Sequence, residues 1–183
     1  MTHLGKSLSP RQTALRQFAL AALLVAVVLA VLFRDALPHE RTVFSNDGPL
    51  GAVNTAWAAV PQSFTGVWKD MNWLGMTDPG ALPNASGLLS MMTSRLGFTK
   101  LFAPFSLLFV GMCAWVCFRQ FKFSPVACAL GAIAAALNGD FFATSCWGVA
   151  AQPIGFGLNF LALAALADDS SRQRWPRVIL AGL

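Results

Sequence analysis

The sequence carries very little charge for its length. Lys, Arg, Asp and Glu make up 11% of the 183 residues, whereas hydrophobic residues make up 56%. A soluble domain usually has charges on about a quarter of its residues, so this chain lacks the polar surface that keeps a protein in water. The scarcity of charge excludes an ordinary soluble domain and indicates an integral membrane protein.

Metal-binding and disulfide patterns are also missing from the sequence. The cysteines show no CxxC or Cys/His spacing, and the long stretch 34–100 contains none, so a disulfide framework and a metal cluster are set aside. The histidines, His3 and His39, have no partner pattern around them. The net charge of +5 comes without a basic stripe and interleaved aromatic residues, so it does not indicate a nucleic-acid partner.

The few charged residues leave four long apolar stretches. A helix needs about 20 largely apolar residues to cross a hydrocarbon core of about 30 Å. A fifth uncharged stretch, 48–68, is broken by Pro61 and carries several polar residues, so we do not count it. The pattern predicts an all-α membrane protein, a helical bundle of about four transmembrane helices. The predicted spans cover residues 17–33, 101–118, 124–139 and 148–167.

The basic residues predict the orientation, because Lys and Arg near the ends of spans are retained in the cytoplasm. With a cytoplasmic N-terminal tail at 1–16, a cytoplasmic connection at 119–123 and a cytoplasmic loop at 168–177, eight of the thirteen basic residues fall in short cytoplasmic segments. Most acidic residues then fall on the other side. The connection at 34–100 becomes a large, partly helical extracytoplasmic loop.

Both ends of the chain have a second interpretation. The first apolar stretch also fits a secretory signal peptide. Its core, however, exceeds the usual length of about 7–15 residues, and Arg34-Asp35, which follows it, makes a poor cleavage site. We therefore predict an uncleaved anchor. The apolar run at 178–183 is too short to span. We interpret it as the start of a fifth transmembrane helix in a longer protein; the alternative is a short interfacial tail.

Small residues in the third predicted span indicate close helix packing. Ala127, Gly131 and Ala135 recur at four-residue spacing, which places them on one helix face that another helix can approach closely. Pro125 can begin this helix without losing a hydrogen bond. Such a face favours a helical bundle, although small residues also recur at this spacing by chance in an Ala-rich helix.

The loop at 34–100 contains the first candidate site residue. It far exceeds an ordinary connection of about 4–6 residues and is rich in aromatic residues, so we predict a folded cap with two short interfacial helices. One would start near Pro49 and the other after 84–86. Asn46-Asp47-Gly48 is a turn former, and Asp47 is a natural helix cap. The functional alternative is that Asp47 accepts a proton from an attacking hydroxyl or binds a cation.

Asp140 is the second candidate. A helix over 124–139 would be about 24 Å long, which places Asp140 at the outer end of the third span, on the same side as Asp47. Acidic residues at membrane depth are functional hypotheses by default, although an interfacial Asp can simply be solvated. The apolar stretch that follows is longer than one span requires, so residues 141–147 are predicted to form an interfacial segment.

Together these features resemble a family of membrane enzymes. A first span, a large outer loop with an early Asp and a short second outer connection with another acidic residue are similar to the GT-C membrane glycosyltransferases. Four segments resemble the N-terminal part of YfhO-like bacterial membrane proteins: Ser-Asn-Asp-Gly-Pro-Leu-Gly (45–51), Trp-Lys-Asp-Met-Asn-Trp-Leu-Gly (68–75), Leu-Asn-Gly-Asp-Phe-Phe (137–142) and Cys-Trp-Gly (146–148).

The resemblance implies transfer of a sugar from a polyprenyl-phosphate donor to an extracytoplasmic acceptor. It assigns catalytic roles to Asp47, as base or acceptor-binding group, and to Asp140. Asp70, beside Trp68 and Trp73, is the reserve candidate for substrate binding; the alternative is a solvated loop charge.

The resemblance also implies partners and a location. Membrane lipids and the lipid-linked donor would be the partners, a divalent cation is possible, and the protein would lie in the inner (cytoplasmic) membrane of a bacterium. The chain has about half the family's usual spans and no Asp-x-Asp or Glu-Asp pair, so this fragment alone is expected to be inactive. The alternative function is a non-catalytic assembly or transport-associated protein that uses its outer loop as a docking surface.

Overall fold

The computed structural model describes residues 9–43, 45–47, 68–69, 76–77, 89, 92–167, 176 and 178. Within these ranges the chain is helical apart from one short ladder, in which β1 (Trp68–Lys69) pairs antiparallel with β2 (Met76–Thr77). A single 3₁₀ turn, Arg34–Ala36, follows the first helix. The α-helices are α1 (Pro10–Leu32), α2 (Arg95–Gln120), α3 (Pro125–Ala136), α4 (Gly139–Trp147) and α5 (Ala151–Leu166).

Serine side chains begin three of these helices. The Ser9 hydroxyl accepts from the amide of Gln12, and the Gln12 side-chain oxygen in turn accepts from the Ser9 amide, a reciprocal capping box. Ser94 caps α2 and Ser124 caps α3. In each case the serine hydroxyl accepts a hydrogen bond from the amide three residues further along. The first residue of α1 and of α3 is proline, which needs no hydrogen-bond acceptor there. These helix starts are therefore encoded locally.

The helices include two or three candidate membrane spans. On length and composition, α1 and α2 each suffice to cross a membrane. Helices α3 and α4 meet the same criterion only together, as one span bent by 44°, and α5 is apolar but has only 16 residues. The predicted helical architecture and membrane character are thus confirmed, whereas the bundle of four spans stays a prediction.

Helices α1 and α2 run antiparallel. Near the start of α1, the Phe18 ring packs edge-on against Trp115 near the end of α2, with centroids 5.3 Å apart. At the opposite end, the ammonium of Lys100 in α2 donates a hydrogen bond to the carbonyl of Pro38, just beyond α1. The connection between the two helices therefore leaves and returns at the same end. We call this end the loop end, and the end that holds the start of α1 the tail end.

Helix α2 lies at the centre and contacts the other four helices. Glycines allow the closest approaches. A Cβ at Gly111 of α2 would lie 2.8 Å from the carbonyl oxygen of Ala132 in α3, and a Cβ at Gly157 of α5 would lie 2.8 Å from the Phe109 ring of α2. Both contacts are shorter than any side chain tolerates, so close packing around α2 depends on these small residues.

The buried face of α3 lies next to the small-residue face noted in the sequence. The residues it buries are Cys128, Ala132 and Ala136, whereas Ala127, in that small-residue face, is exposed. Gly131 lies at the edge of the buried face, where a Cβ would come within 2.3 Å of the Phe118 ring. Two small-residue rows therefore run side by side along this Ala-rich helix, and the buried row is one residue away from the row at Ala127, Gly131 and Ala135. Only the position of α2 selects between them.

Helix α1 is peripheral. It buries only a narrow row of side chains at four-residue spacing, Ala21, Val25 and Leu29. Many of its other apolar side chains are exposed, including Leu20, Leu23, Leu24, Val27 and Val31. In water such a surface would be unfavourable, since burial of apolar area contributes about 25 cal/mol per Å². In a bilayer the same side chains contact lipid.

Several predicted segments lie outside the described residues. They include the loop helix predicted to start near Pro49, the tail before residue 9 and most of the C-terminal segments 168–177 and 178–183. Helix α4 occupies the stretch for which an interfacial segment is predicted, and α5 begins at Ala151, between 148 and 153.

Candidate functional site

Asp140 lies in the first turn of α4 rather than at the end of α3. The side chain of Asn138 accepts hydrogen bonds from the amides of Asp140 and Phe141, at 3.0 and 3.3 Å, and so begins a new helix after the bend. The Thr144 hydroxyl donates to the carbonyl of Asp140 one turn later. Asp140 is exposed, and a carboxylate at this position is stabilised by the positive end of the helix dipole.

The segment 45–47 docks on the other end of the same helix. The amide of Asp47 donates to the carbonyl of Trp147 at 2.8 Å, and the Ser45 hydroxyl donates to the same oxygen at 3.2 Å. The last carbonyls of a helix have no intrahelical donor, so this segment satisfies one of them. Gly148, with φ of 101°, ends α4 in the left-handed conformation that glycine adopts without strain.

The two candidate carboxylates are therefore carried by one helix but do not touch. Asp47 is bound at the end of α4 and Asp140 lies in its first turn, seven residues before Trp147, which corresponds to about 10 Å along the axis. Both residues are exposed. The bond to Trp147 uses only the backbone of Asp47, so its carboxylate takes no part in the docking.

Both carboxylates lie at the loop end. The ring of Phe142 in α4 is 5.7 Å from that of Phe33, which follows α1. The charges that flank the described helices divide unequally between the two ends. At the loop end they are Arg34, Arg41, Arg95 and Lys100 together with Asp35, Glu40, Asp47 and Asp140; at the tail end they are Arg11, Arg16, Arg119 and Lys122.

A small cavity lies where Val43 and Ser45 meet the start of α2 and the end of α4. Its volume is about 60 Å³, and its walls include Ser45, Phe102 and Ser145. Ligand pockets usually measure about 300–1,000 Å³, so this cavity is too small for a sugar. Neither Asp47 nor Asp140 lines it.

Two buried hydroxyls join α4 to the centre of the protein. The Oγ atoms of Ser106 in α2 and Ser145 in α4 lie 3.3 Å apart. The Ser106 hydroxyl also reaches the carbonyl of Ala103 at 2.8 Å. Both side chains are buried, where a hydroxyl without a partner is costly. This pair positions α4 against α2 and was not anticipated from the sequence.

A larger cavity of about 310 Å³ lies on the surface between α1 and α2 at the loop end. In the part of the chain that the structure describes, its walls are apolar except for Lys100, and neither candidate carboxylate lines it. Sequence reasoning also missed this cavity. The available signals were the small residues of α1 and Pro104 within α2, but nothing in the sequence pairs them.

The remaining predicted site residues give less information. Asp70 and Trp73 lie outside the described residues, and Trp68 is described only by its backbone in β1. Within the described ranges, no group of three or more His, Cys, Asp or Glu side chains is placed to hold a metal ion. The link between Asp47 and Trp147 was also missed; its only sequence signal is Gly148, which is typical of a helix end.

Comparison of the chain with models of known families, with curated proteins and with solved structures found no match. The functional interpretation therefore rests on the residues and geometry of this chain.

Proposed function

We propose that the chain acts in sugar transfer at the extracytoplasmic face of a bacterial cytoplasmic membrane, as a GT-C-like glycosyltransferase that uses a polyprenyl-phosphate sugar donor. One observation carries the proposal. The Asp47 segment is hydrogen-bonded to the end of the helix that begins at Asp140, so one structural unit presents two exposed carboxylates at the loop end. The motif resemblance at 45–51 and 137–142 supports the same function.

The chemistry assigns different roles to the two carboxylates. Asp47 would accept the proton of the acceptor hydroxyl as its oxygen bonds to the anomeric carbon. The bond from that carbon to the phosphate oxygen breaks, and polyprenyl phosphate leaves with the electron pair. General-base help of this kind is typically worth about 10² to 10⁴ in rate. Asp140, about 10 Å away along α4, is too distant to share that proton, and its proposed role is to bind acceptor hydroxyls or a cation.

The charge distribution supports an orientation with the loop end outside. Among the helix-flanking charges that the structure describes, the tail end has four basic residues and no acidic one, whereas the loop end has four of each. Basic residues that lie in short segments at the ends of membrane spans are retained in the cytoplasm. We therefore propose a cytoplasmic tail end, which places Asp47 and Asp140 on the extracytoplasmic side.

A transfer assay tests the proposed activity directly. Membranes that contain the full-length protein are incubated with radiolabelled undecaprenyl-phosphate glucose, mannose, galactose or N-acetylglucosamine, and label in the water-soluble and envelope fractions is counted. Membranes from the same host without the protein are the control. Transfer of at least one sugar above the control is expected; no transfer from any of the four, by a full-length protein that has accumulated in the membrane, contradicts the proposal.

The second candidate is a non-catalytic membrane assembly protein. The observation that favours it is the peripheral position of α1, whose exposed apolar side chains can contact a helix of another protein as well as lipid. Cross-linking in the membrane distinguishes the candidates. A stable partner at α1 without any sugar transfer would favour assembly, and transfer by the full-length protein without such a partner would favour the enzyme.

A further inference from the structure

The larger cavity forms a groove between α1 and α2, which we call the α1–α2 groove. Its volume of about 310 Å³ is at the lower end of the range for ligand pockets. Among the described residues, one charged side chain, Lys100, lines it, and the other lining residues are apolar: Ala26, Leu29, Ala30, Phe33, Ala36, Leu37, Leu89, Leu101, Pro104, Phe105 and Leu108.

The groove runs from the loop end inwards along α1 and α2. Lys100 is near the start of α2, and Leu108 lies eight residues further along, which is about 12 Å deeper. On the other wall, Leu37 follows the end of α1 and Ala26 lies well inside that helix. The charged residue is therefore at the mouth of the groove, and the deep part is entirely apolar.

Two alanines of α1 and a proline of α2 keep the groove open. Ala26 and Ala30 leave space along α1 because their side chains end at the methyl group. Pro104 lies inside α2 and has no amide hydrogen, so the carbonyl of Lys100 loses its usual helical partner. The space between the helices is thus built into the sequence of both walls.

The Lys100 ammonium is held at the mouth with donors to spare. It donates one hydrogen bond to the carbonyl of Pro38. An ammonium group has three N–H donors, so two can point to the oxygens of a phosphate. Lysine side chains at a membrane surface are attracted to anionic lipids by about 1 kcal/mol each. A positive mouth above an apolar channel complements a phosphate group attached to a long hydrocarbon chain.

We propose that the α1–α2 groove binds one anionic phospholipid of the bilayer, with an acyl chain along the apolar walls and the phosphate on Lys100. The groove uses the face of α2 that carries Leu101, Phe105 and Leu108. The small cavity next to Val43, Ser45 and α4 uses Phe98, Thr99, Phe102 and Ala103 of α2. Averaged over all the α2 residues that line each cavity, the two directions around the helix differ by roughly 160° at 100° per residue. Helix α2 therefore separates the groove from α4 and from the Asp47 segment bound to it. The lipid in the groove is thus a structural lipid, and the inference does not depend on sugar transfer.

Lipid binding by the purified full chain tests the proposal. Native mass spectrometry from detergent micelles measures the binding of phosphatidylglycerol, which is anionic, and of phosphatidylcholine, which is zwitterionic. The wild-type chain is expected to prefer phosphatidylglycerol. Lys100→Gln keeps a donor for Pro38 but removes the charge, so binding of phosphatidylglycerol should weaken about fivefold to tenfold. Lys122→Gln, an exposed position at the tail end, is the matched control and should bind like the wild type.

A second variant tests the groove itself. Ala30→Phe fills it from the α1 side at an exposed position, so folding should be preserved while both lipids bind more weakly. Equal binding of the two lipids by the wild type, or unchanged phosphatidylglycerol binding by Lys100→Gln, would overturn the proposal. Tighter binding of undecaprenyl phosphate than of phosphatidylglycerol would also overturn it, because the groove would then hold a lipid-linked donor instead.

Discussion

The backbone amide of Asp47 donates a hydrogen bond to the carbonyl of Trp147, with nitrogen and oxygen 2.8 Å apart. This bond attaches the segment that follows the first helix to the end of α4. Because the Asp47 side chain takes no part in it, the carboxylate can be changed while the attachment remains. The chemistry proposed for Asp47 can therefore be separated from its structural position.

Asp47→Asn is the decisive substitution for the proposed activity. Asparagine retains the size of the side chain and its tendency to form turns and caps, but it cannot accept a proton as a general base. We expect normal accumulation in the membrane and a loss of sugar transfer of about 10²-fold or more. Asp35→Asn is the control, since Asp35 is also exposed at the loop end but pairs loosely with Arg34, at 3.9 Å. Equal activity of the two variants would leave Asp47 as a turn residue.

Single-cysteine labelling tests the proposed orientation. The four native cysteines are replaced by alanine, and Glu40→Cys at the loop end or Lys122→Cys at the tail end is introduced; both positions are exposed. A membrane-impermeant maleimide should label Glu40→Cys in intact cells and Lys122→Cys only after lysis, because the basic tail end is retained in the cytoplasm. The reverse pattern would refute the orientation.

Gly111→Ala should destabilise the helix packing around α2. Its Cβ would lie 2.8 Å from the Ala132 carbonyl oxygen, and a backbone atom cannot move aside as a side-chain tip can. Overpacking of this kind costs about 1–3 kcal/mol, seen as a lower thermal unfolding midpoint in detergent. Gly155→Ala, a glycine of α5 with open space around it, is the control and should leave the midpoint unchanged or raise it. Similar midpoints for the two variants would show that α2 and α3 are not in such close contact.

The Ser106 and Ser145 hydroxyls should be energetically coupled. They lie 3.3 Å apart and are both buried, so each single alanine variant removes the same hydrogen bond. A double-mutant cycle on unfolding free energy should give a coupling of about 0.5–1.5 kcal/mol. Ser106 paired with the exposed Ser124 is the control cycle and should show no coupling. Additive effects of Ser106→Ala and Ser145→Ala would mean that this bond does not hold α4 against α2.

The sequence by itself determined the membrane character and the helix starts. With 11% charged residues, no arrangement of this chain could cover itself with a polar surface. The caps at Ser9, Ser94 and Ser124 act on amides three residues away, so neighbouring residues suffice to encode them. The Asn138 cap is equally local, but the apolar pattern around it concealed the bend that separates Asp140 from α3.

Tertiary structure alone decided which faces meet. Both candidate rows on α3 have the same four-residue spacing, and only the approach of Gly111 to Ala132 selects the row at Cys128, Ala132 and Ala136. The bond from Asp47 to Trp147 and the bond between Ser106 and Ser145 join residues far apart in the chain. Such contacts depend on how whole helices pack. Because packing depends on the shapes of both helix surfaces, the sequence of one segment alone does not encode the contact.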